Sequence, residues 1–159
     1  MEWIFCSIDD SRVIRENFDC GVPELNQYLK KYARQNQRKG IAKTWVAIPQ
    51  DGDGQVAGYY SISMAELQLE LLPENYRKGL PRYPLPVMRI GKLAVTQSMQ
   101  GKKLGETLLV DAFNRVIRLS EDIAVLKKVR YAHGGHGGLC PRRPMPYAQS
   151  YLIFLRKAI

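Results

Sequence analysis

The sequence predicts a mixed α/β domain, with a central mixed sheet flanked by helices. Three observations carry this expectation. Apolar residues recur at helical spacing in two places, residues 25–33 and 104–117. Between and around them lie short runs rich in β-branched and aromatic residues, and glycine- or proline-rich stretches punctuate the runs. The 159 residues, 45% of them hydrophobic, suit a single domain over 1–159 with a substantial core.

Residues 3–7 read as a first short strand. Asp19 to Pro23 then resembles a helix start, with proline near the first helical position. Leu25, Tyr28, Leu29, Tyr32 and Ala33 follow at i, i+3, i+4, i+7 and i+8, one apolar face of a helix. Residues 44–48 and 55–64 read as a hairpin around Asp51-Gly52-Asp53-Gly54. A short helix is expected over 71–77, entered at Pro73. Prolines 81, 84 and 86 exclude regular helix from 80–86. Residues 87–95 make the best strand of the chain. Leu104, Leu108, Ala112 and Val116, with Leu109, Phe113 and Ile117 beside them, predict a second strong helix. A strand is expected over 124–132.

Charge and cysteine usage narrow the function classes. The formal net charge of +9 favours a polyanionic partner: nucleic acid, a phosphorylated cofactor or an acidic protein. Cys6, Cys20 and Cys140 are odd in number, widely spaced and lack a Cys-x-x-Cys pair, which argues against a disulfide scaffold or zinc ribbon and for the reducing cytoplasm. No stretch approaches a membrane span, and Met1-Glu2-Trp3 does not resemble a secretory signal.

The stretch Gln100-Gly101-Lys102-Lys103-Leu104-Gly105-Glu106 places flexible backbone and positive charge before a helix. A helix N-terminus has unpaired N–H groups and a partial positive charge, and glycines let a phosphate approach the backbone. The plain alternative is a turn with solvated lysines. A preceding strand ending in Leu93-Ala94-Val95 completes strand, loop and helix. This arrangement resembles the acetyl-coenzyme A signature of the GNAT superfamily of N-acetyltransferases. Gln100 opens the signature and Gly105 closes it, and Lys103 stands where the inner glycine is expected.

The resemblance narrows on four further segments: Phe18-Asp19-Cys20-Gly21, Leu25-Asn26-Gln27-Tyr28-Leu29, Gly58-Tyr59-Tyr60-Ser61 and Leu80-Pro81-Arg82-Tyr83-Pro84. Together they resemble the GNAT toxins of bacterial toxin–antitoxin pairs, over residues 3–132. The resemblance implies acetylation of the amino group of aminoacyl-tRNA, with acetyl-coenzyme A as co-substrate and a ribbon-helix-helix antitoxin as partner; it leaves a homodimer open. It further implies that backbone N–H groups at Leu93, Ala94 and Val95 hold the cofactor, with residues 100–106 at its pyrophosphate.

After Ala132 the resemblance fails. The family continues an apolar strand and then a helix whose tyrosine is the general acid, whereas this chain reads His133-Gly134-Gly135-His136-Gly137-Gly138 and then a proline- and arginine-rich stretch. A His-Gly-Gly run read one base later can give methionine followed by valines, so residues 133–146 read as an aberrant or disordered stretch, frameshifted or decayed. Residues 146–151, Pro-Tyr-Ala-Gln-Ser-Tyr, again look like the family's helix, which makes Tyr147 the candidate acid; a surface or core tyrosine is the plain alternative. His133, His136 and Cys140 lack a fourth ligand, and no metal is expected. Lys30, Lys31, Arg34, Arg38 and Lys39 on the first helix are the candidate tRNA face, against a merely solvated one. Two alternative functions stand beside the toxin reading. One is a polyamine or protein N-terminal acetyltransferase. The other is a catalytically dead remnant that binds cofactor or antitoxin.

Overall fold

The computed structural model describes residues 2–71, 74–78, 80, 82–122 and 151–153. Five strands form one sheet in the order β1-β2-β3-β4-β5: β1 (Trp3–Ser7), β2 (Lys43–Pro49), β3 (Gly58–Leu67), β4 (Leu85–Val95) and β5 (Tyr151–Ile153). All four strand pairings are antiparallel, so the parallel pair that a mixed sheet requires is absent among the described strands. Strand alternation sends two sets of side chains to opposite faces. On one face Ala47, Tyr60, Ile62, Met88 and Ile90 pack under α4 (Leu104–Asp122). On the other, Cys6, Val46, Ile48, Tyr59 and Ala94 meet Phe18, Tyr28, Leu29 and Ala33.

The apolar stripe expected on the second helix is the one that α4 buries. Leu104, Leu108, Ala112 and Val116 are all at most 1% exposed. Each of the larger ones contributes about 1.5–3 kcal/mol by burial. Gly58 lets this helix sit close, because a Cβ there would lie 2.7 Å from Leu108 Cδ1.

The first helix departs from its expected face. It runs as α1 (Pro23–Gln27), a π-helical turn (Tyr28–Tyr32) and α2 (Ala33–Arg38), and the Ala33 N–H reaches back five residues to the Tyr28 carbonyl. The wide turn changes the angular spacing of the side chains along the helix. Leu29 and Ala33 are fully buried as expected, but Tyr32 is turned out and is 45% exposed. Arg15 donates to the Leu29 carbonyl within this turn at 3.4 Å, compensating locally for the altered ladder.

Leu85 and Pro86 belong to β4, one residue pair beyond the expected strand start, with Pro86 exposed at the strand's beginning where its missing N–H costs little. The short helix α3 (Glu74–Arg77) comes after a 3-10 turn, Leu69–Leu71. Tyr151, expected at the end of a helix, instead opens β5, where Tyr-Leu-Ile, residue types that favour strands, pairs with Ile90, Arg89 and Met88. The expected strand over 124–132, the stretch 133–146 and Tyr147 lie outside the described residues. No described helix is long and apolar enough to cross a membrane.

Candidate active site

The site begins at a defect in β4. Ser61 pairs with Lys92 but Ile62 pairs with Ile90, so Gly91 is an extra residue, a β-bulge. Past the bulge the register orients the strand. The Thr96 N–H donates to the Ala57 carbonyl at 2.8 Å. Alternation in an antiparallel pair then makes 59–94 and 61–92 the bonded pairs and turns the N–H groups of Leu93 and Val95 away from β3. β5 covers that edge only at Met88, Arg89 and Ile90. Among the described strands, the edge at Leu93 and Val95 is therefore open. Ala94 is buried on the opposite face and contributes backbone alone.

From Val95 the chain passes through a 3-10 turn, Gln97–Met99, into a loop ending at α4. Gly101 (φ 76°) and Lys103 (φ 62°) both hold left-handed backbone. Lys103 is the only non-glycine residue with positive φ among those described, and it stands where the resemblance leads one to expect a glycine. Among the described hydrogen bonds, the amides of Gly101, Lys103, Leu104, Gly105 and Glu106 have no protein acceptor, while Lys102 N–H reaches Met99 O at 3.4 Å and Thr107 N–H reaches Lys103 O at 3.2 Å. These donors cluster at the N-terminus of a 19-residue helix, where its dipole is positive. Leu104 is buried beneath them, and Glu106 is an exposed acid of the first turn.

A pyrophosphate needs donors and room. A Cβ added at Gly101 would meet nothing within 4 Å, and one at Gly105 would meet only Val95 Cγ2 at 3.8 Å. The residues present fit such a group.

Gln100 braces this loop. Its Nε2 donates to the Val95 and Cys20 carbonyls, both at 3.0 Å. The second of these bonds leads to residues that sequence reasoning assigned no role. The Asp19 carbonyl accepts from Gln97 N–H at 2.8 Å and from Thr96 Oγ1 at 3.0 Å. Its carboxylate accepts from Gly21 N–H at 2.9 Å, Asn26 Nδ2 at 2.7 Å and Gln97 Nε2 at 3.1 Å. The Gly21 amide, then the Asn26 amide, hold this carboxyl below its usual range. Asp19, Gly21 and Asn26 lie within the segments that carry the toxin resemblance; Gln97 carried no sequence signal.

The basic cluster divides. Lys30 and Lys31 lie in the π-helical turn, Arg38 and Lys39 at the exposed end of α2. Arg34, expected on the same face, is engaged internally: its Nε donates to the Ile8 carbonyl at 3.0 Å and lies 4.0 Å from Asp9. Lys92 stacks its ammonium 4.2 Å over the Tyr28 ring.

No protein-family model matches the chain. It is 32% identical over 109 residues to the tRNA-acetylating toxin of Mycobacterium tuberculosis, covering 69% of this chain and 63% of that one. To the probable toxin TacT of Sinorhizobium fredii it is 25% identical over 119 residues, covering 74% and 65%. The chain thus spans slightly less than two thirds of the length of these curated relatives. Among solved structures it is similar to AtaT complexed with acetyl-methionyl-tRNAfMet, at TM-score 0.70 and 27% identity over 77% of this chain and 73% of that chain. AtaTR bound with AcCoA gives TM-score 0.65 and 27% identity, covering 77% and 72%. A mutant AtaT toxin bound to the C-terminus of the antitoxin AtaR gives 0.62 and 25%, covering 77% and 71%. In sequence and in fold, the chain resembles the acetyltransferase toxins of the GNAT superfamily.

Proposed function

We propose that this chain is an N-acetyltransferase that takes acetyl from acetyl-coenzyme A and places it on the amino group of aminoacyl-tRNA, as the cytoplasmic toxin of a toxin–antitoxin pair. One observation carries the reading: five amides with no acceptor among the described residues, those of the left-handed Gly101 and Lys103 and of Leu104, Gly105 and Glu106 in the first turn of α4, beside the outward-turned N–H groups of Leu93 and Val95. The loop amides, with Lys102 and Lys103, would hold the pyrophosphate. Bound acetyl-coenzyme A supplies an acetyl thioester.

The open edge of β4 supplies the rest of the chemistry. An N–H at Leu93 or Val95, fixed by the ladder on its other side, polarises a carbonyl without reorganising, as an oxyanion hole does. The acceptor amine must be neutral. An α-amine has a reference pKa of about 7.7–8.0, against about 10.4 for lysine, so much of it is already neutral and a strong base is unnecessary. A tyrosine is the natural donor to the departing thiolate, and Tyr147 is the residue proposed for it. Lys30, Lys31, Arg38 and Lys39 are proposed as the tRNA-facing cations. The likeness to AtaT supports an antitoxin partner, proposed to be of ribbon-helix-helix type.

The decayed form of the same protein is favoured by one feature, the His133-Gly134-Gly135-His136-Gly137-Gly138 run, because glycines offer a strand no side chains to pack. Proton donation contributes about a hundred- to ten-thousandfold to rate, so a misplaced acid cripples turnover and spares binding. The experiment is transfer of labelled acetyl to mixed charged tRNA, by this chain and by a version with the suspected reading frame restored. Acetylated aminoacyl-tRNA from either chain supports the toxin reading. Transfer only to free polyamines or peptides overturns it, and equal rates for the two chains remove the decay hypothesis.

A further inference from the structure

Asp19 stands on the connector between β1 and α1, and the 96–100 turn follows the C-terminal end of β4. Hydrogen bonds join the two across 77 residues of sequence. Asp19 O accepts from Gln97 N–H and Thr96 Oγ1, its carboxylate accepts from Gln97 Nε2, Cys20 O accepts from Gln100 Nε2, and Asn26 ties the connector to α1. Cys20 N–H in turn donates to Asn26 Oδ1 at 2.9 Å. Phe18 and Cys20 are buried on either side, so the connector is anchored in the core while Asp19 is exposed and faces the turn. The turn is one residue from Gly101, where the loop goes left-handed.

From this geometry we infer that Asp19 is a positioning residue for coenzyme binding: with Gln97 it clamps the 96–100 turn to the first helix and so fixes the amides of 101–106 in one orientation. The inference rests on the acetyltransferase reading above. A carboxylate bonded to the turn that leads into an anion site is otherwise a liability, since it repels phosphate. Its place there is explained if the carboxylate, held by Gly21 N–H and Asn26 Nδ2 on its own side and by Gln97 Nε2 from the turn, keeps the loop in position. The two effects have opposite signs, and that makes the clamp testable.

Acetyl-coenzyme A is titrated calorimetrically into the full chain and its variants, and amide hydrogen exchange is monitored over residues 96–106. Asp19→Ala removes a negative charge near the loop together with the carboxylate part of the clamp, and leaves the bonds to the Asp19 and Cys20 carbonyls in place. Electrostatics alone would tighten binding; the clamp predicts that it weakens by about tenfold, the scale of a lost charge-assisted hydrogen bond, with faster exchange at 96–106. Gln97→Glu sets two carboxylates against each other and should weaken binding similarly. Adding Asp19→Asn to it restores a donor–acceptor pair and should restore both affinity and protection. Tighter or unchanged binding in Asp19→Ala, or no rescue in the double variant, overturns the clamp. If the wild-type chain binds no acetyl-coenzyme A, the acetyltransferase reading fails, and unaltered exchange in Asp19→Ala would then overturn the clamp as well.

Discussion

Gly101 and Lys103 share left-handed backbone, φ 76° and 62°, on either side of Lys102. Glycine adopts this conformation without penalty, whereas a residue with a Cβ does so at about 1–2 kcal/mol. Lys103→Gly should therefore raise the unfolding free energy by about 0.5–1 kcal/mol after glycine's own entropy is subtracted. The same change removes a cation from the anion site and should lower coenzyme affinity severalfold. Urea unfolding and calorimetry should move in opposite directions; a loss of stability would show that the lysine side chain holds the loop.

Gly105 gives a cleaner test of where the coenzyme sits. An alanine Cβ there meets only Val95 Cγ2, at an ordinary 3.8 Å. Gly105→Ala should leave the melting temperature unchanged or slightly higher, given alanine's helix propensity advantage of about 1 kcal/mol. Larger side chains should weaken acetyl-coenzyme A binding progressively with the fold intact. Unchanged affinity in such variants would place the coenzyme elsewhere.

Under α4, Tyr60 donates its hydroxyl to Asp111 Oδ2, Arg115 Nε reaches the same oxygen at 2.8 Å, and the Arg115 guanidinium lies 3.6 Å over Trp45. Tyr60 is fully buried, and burial, then the Asp111 hydrogen bond, pushes its phenol well above its usual value, so it remains a donor at every working pH. Asp111→Ala strands that hydroxyl and should cost about 1–3 kcal/mol in urea unfolding. Asp111→Asn keeps an acceptor and should cost less. Equal losses for the two would mean that the Arg115 ion pair, rather than the phenol, sets the penalty.

The basic face should split as its bonding does. Replacing Lys30, Lys31, Arg38 and Lys39 with glutamine should flatten the salt dependence of tRNA binding, by about 0.7–0.9 in log–log slope for every phosphate no longer neutralised. Arg34→Gln should instead cost stability, about 0.5–1.5 kcal/mol through the Ile8 carbonyl, and change the slope little. A slope indifferent to the four lysine and arginine changes would leave that face simply solvated.

Acid should release the Asp19 clamp late. Its carboxyl is lowered in the folded chain, first by the Gly21 amide and then by Asn26. Its contribution is therefore fully present above the unfolded value of about 3.9 and is lost as pH falls through the lower folded value. The stability difference between wild type and Asp19→Ala should be constant from neutral pH to about 5 and vanish only under strong acid. A difference that fades near neutrality would assign the effect to another group.

What the sequence determined by itself was local. The α4 stripe of Leu104, Leu108, Ala112 and Val116 is legible because a helix face repeats every three to four residues, and burial tracks that period. β1 matches its expected bounds, and residues 100–103 join the 3-10 turn to α4, with 104–106 already in the helix's first turn. Tertiary structure decided whatever depended on partners distant in the chain or on a shift of register. One wide turn at Tyr28–Tyr32 rotates Tyr32 out of the face its spacing assigned it. Tyr60 meets Asp111 across 51 residues, and Asp19 meets Gln97 across 78, pairings that no periodicity encodes. Spacing records which side of an element is apolar; which polar groups finally face one another is set only when the sheet and its two helical layers close.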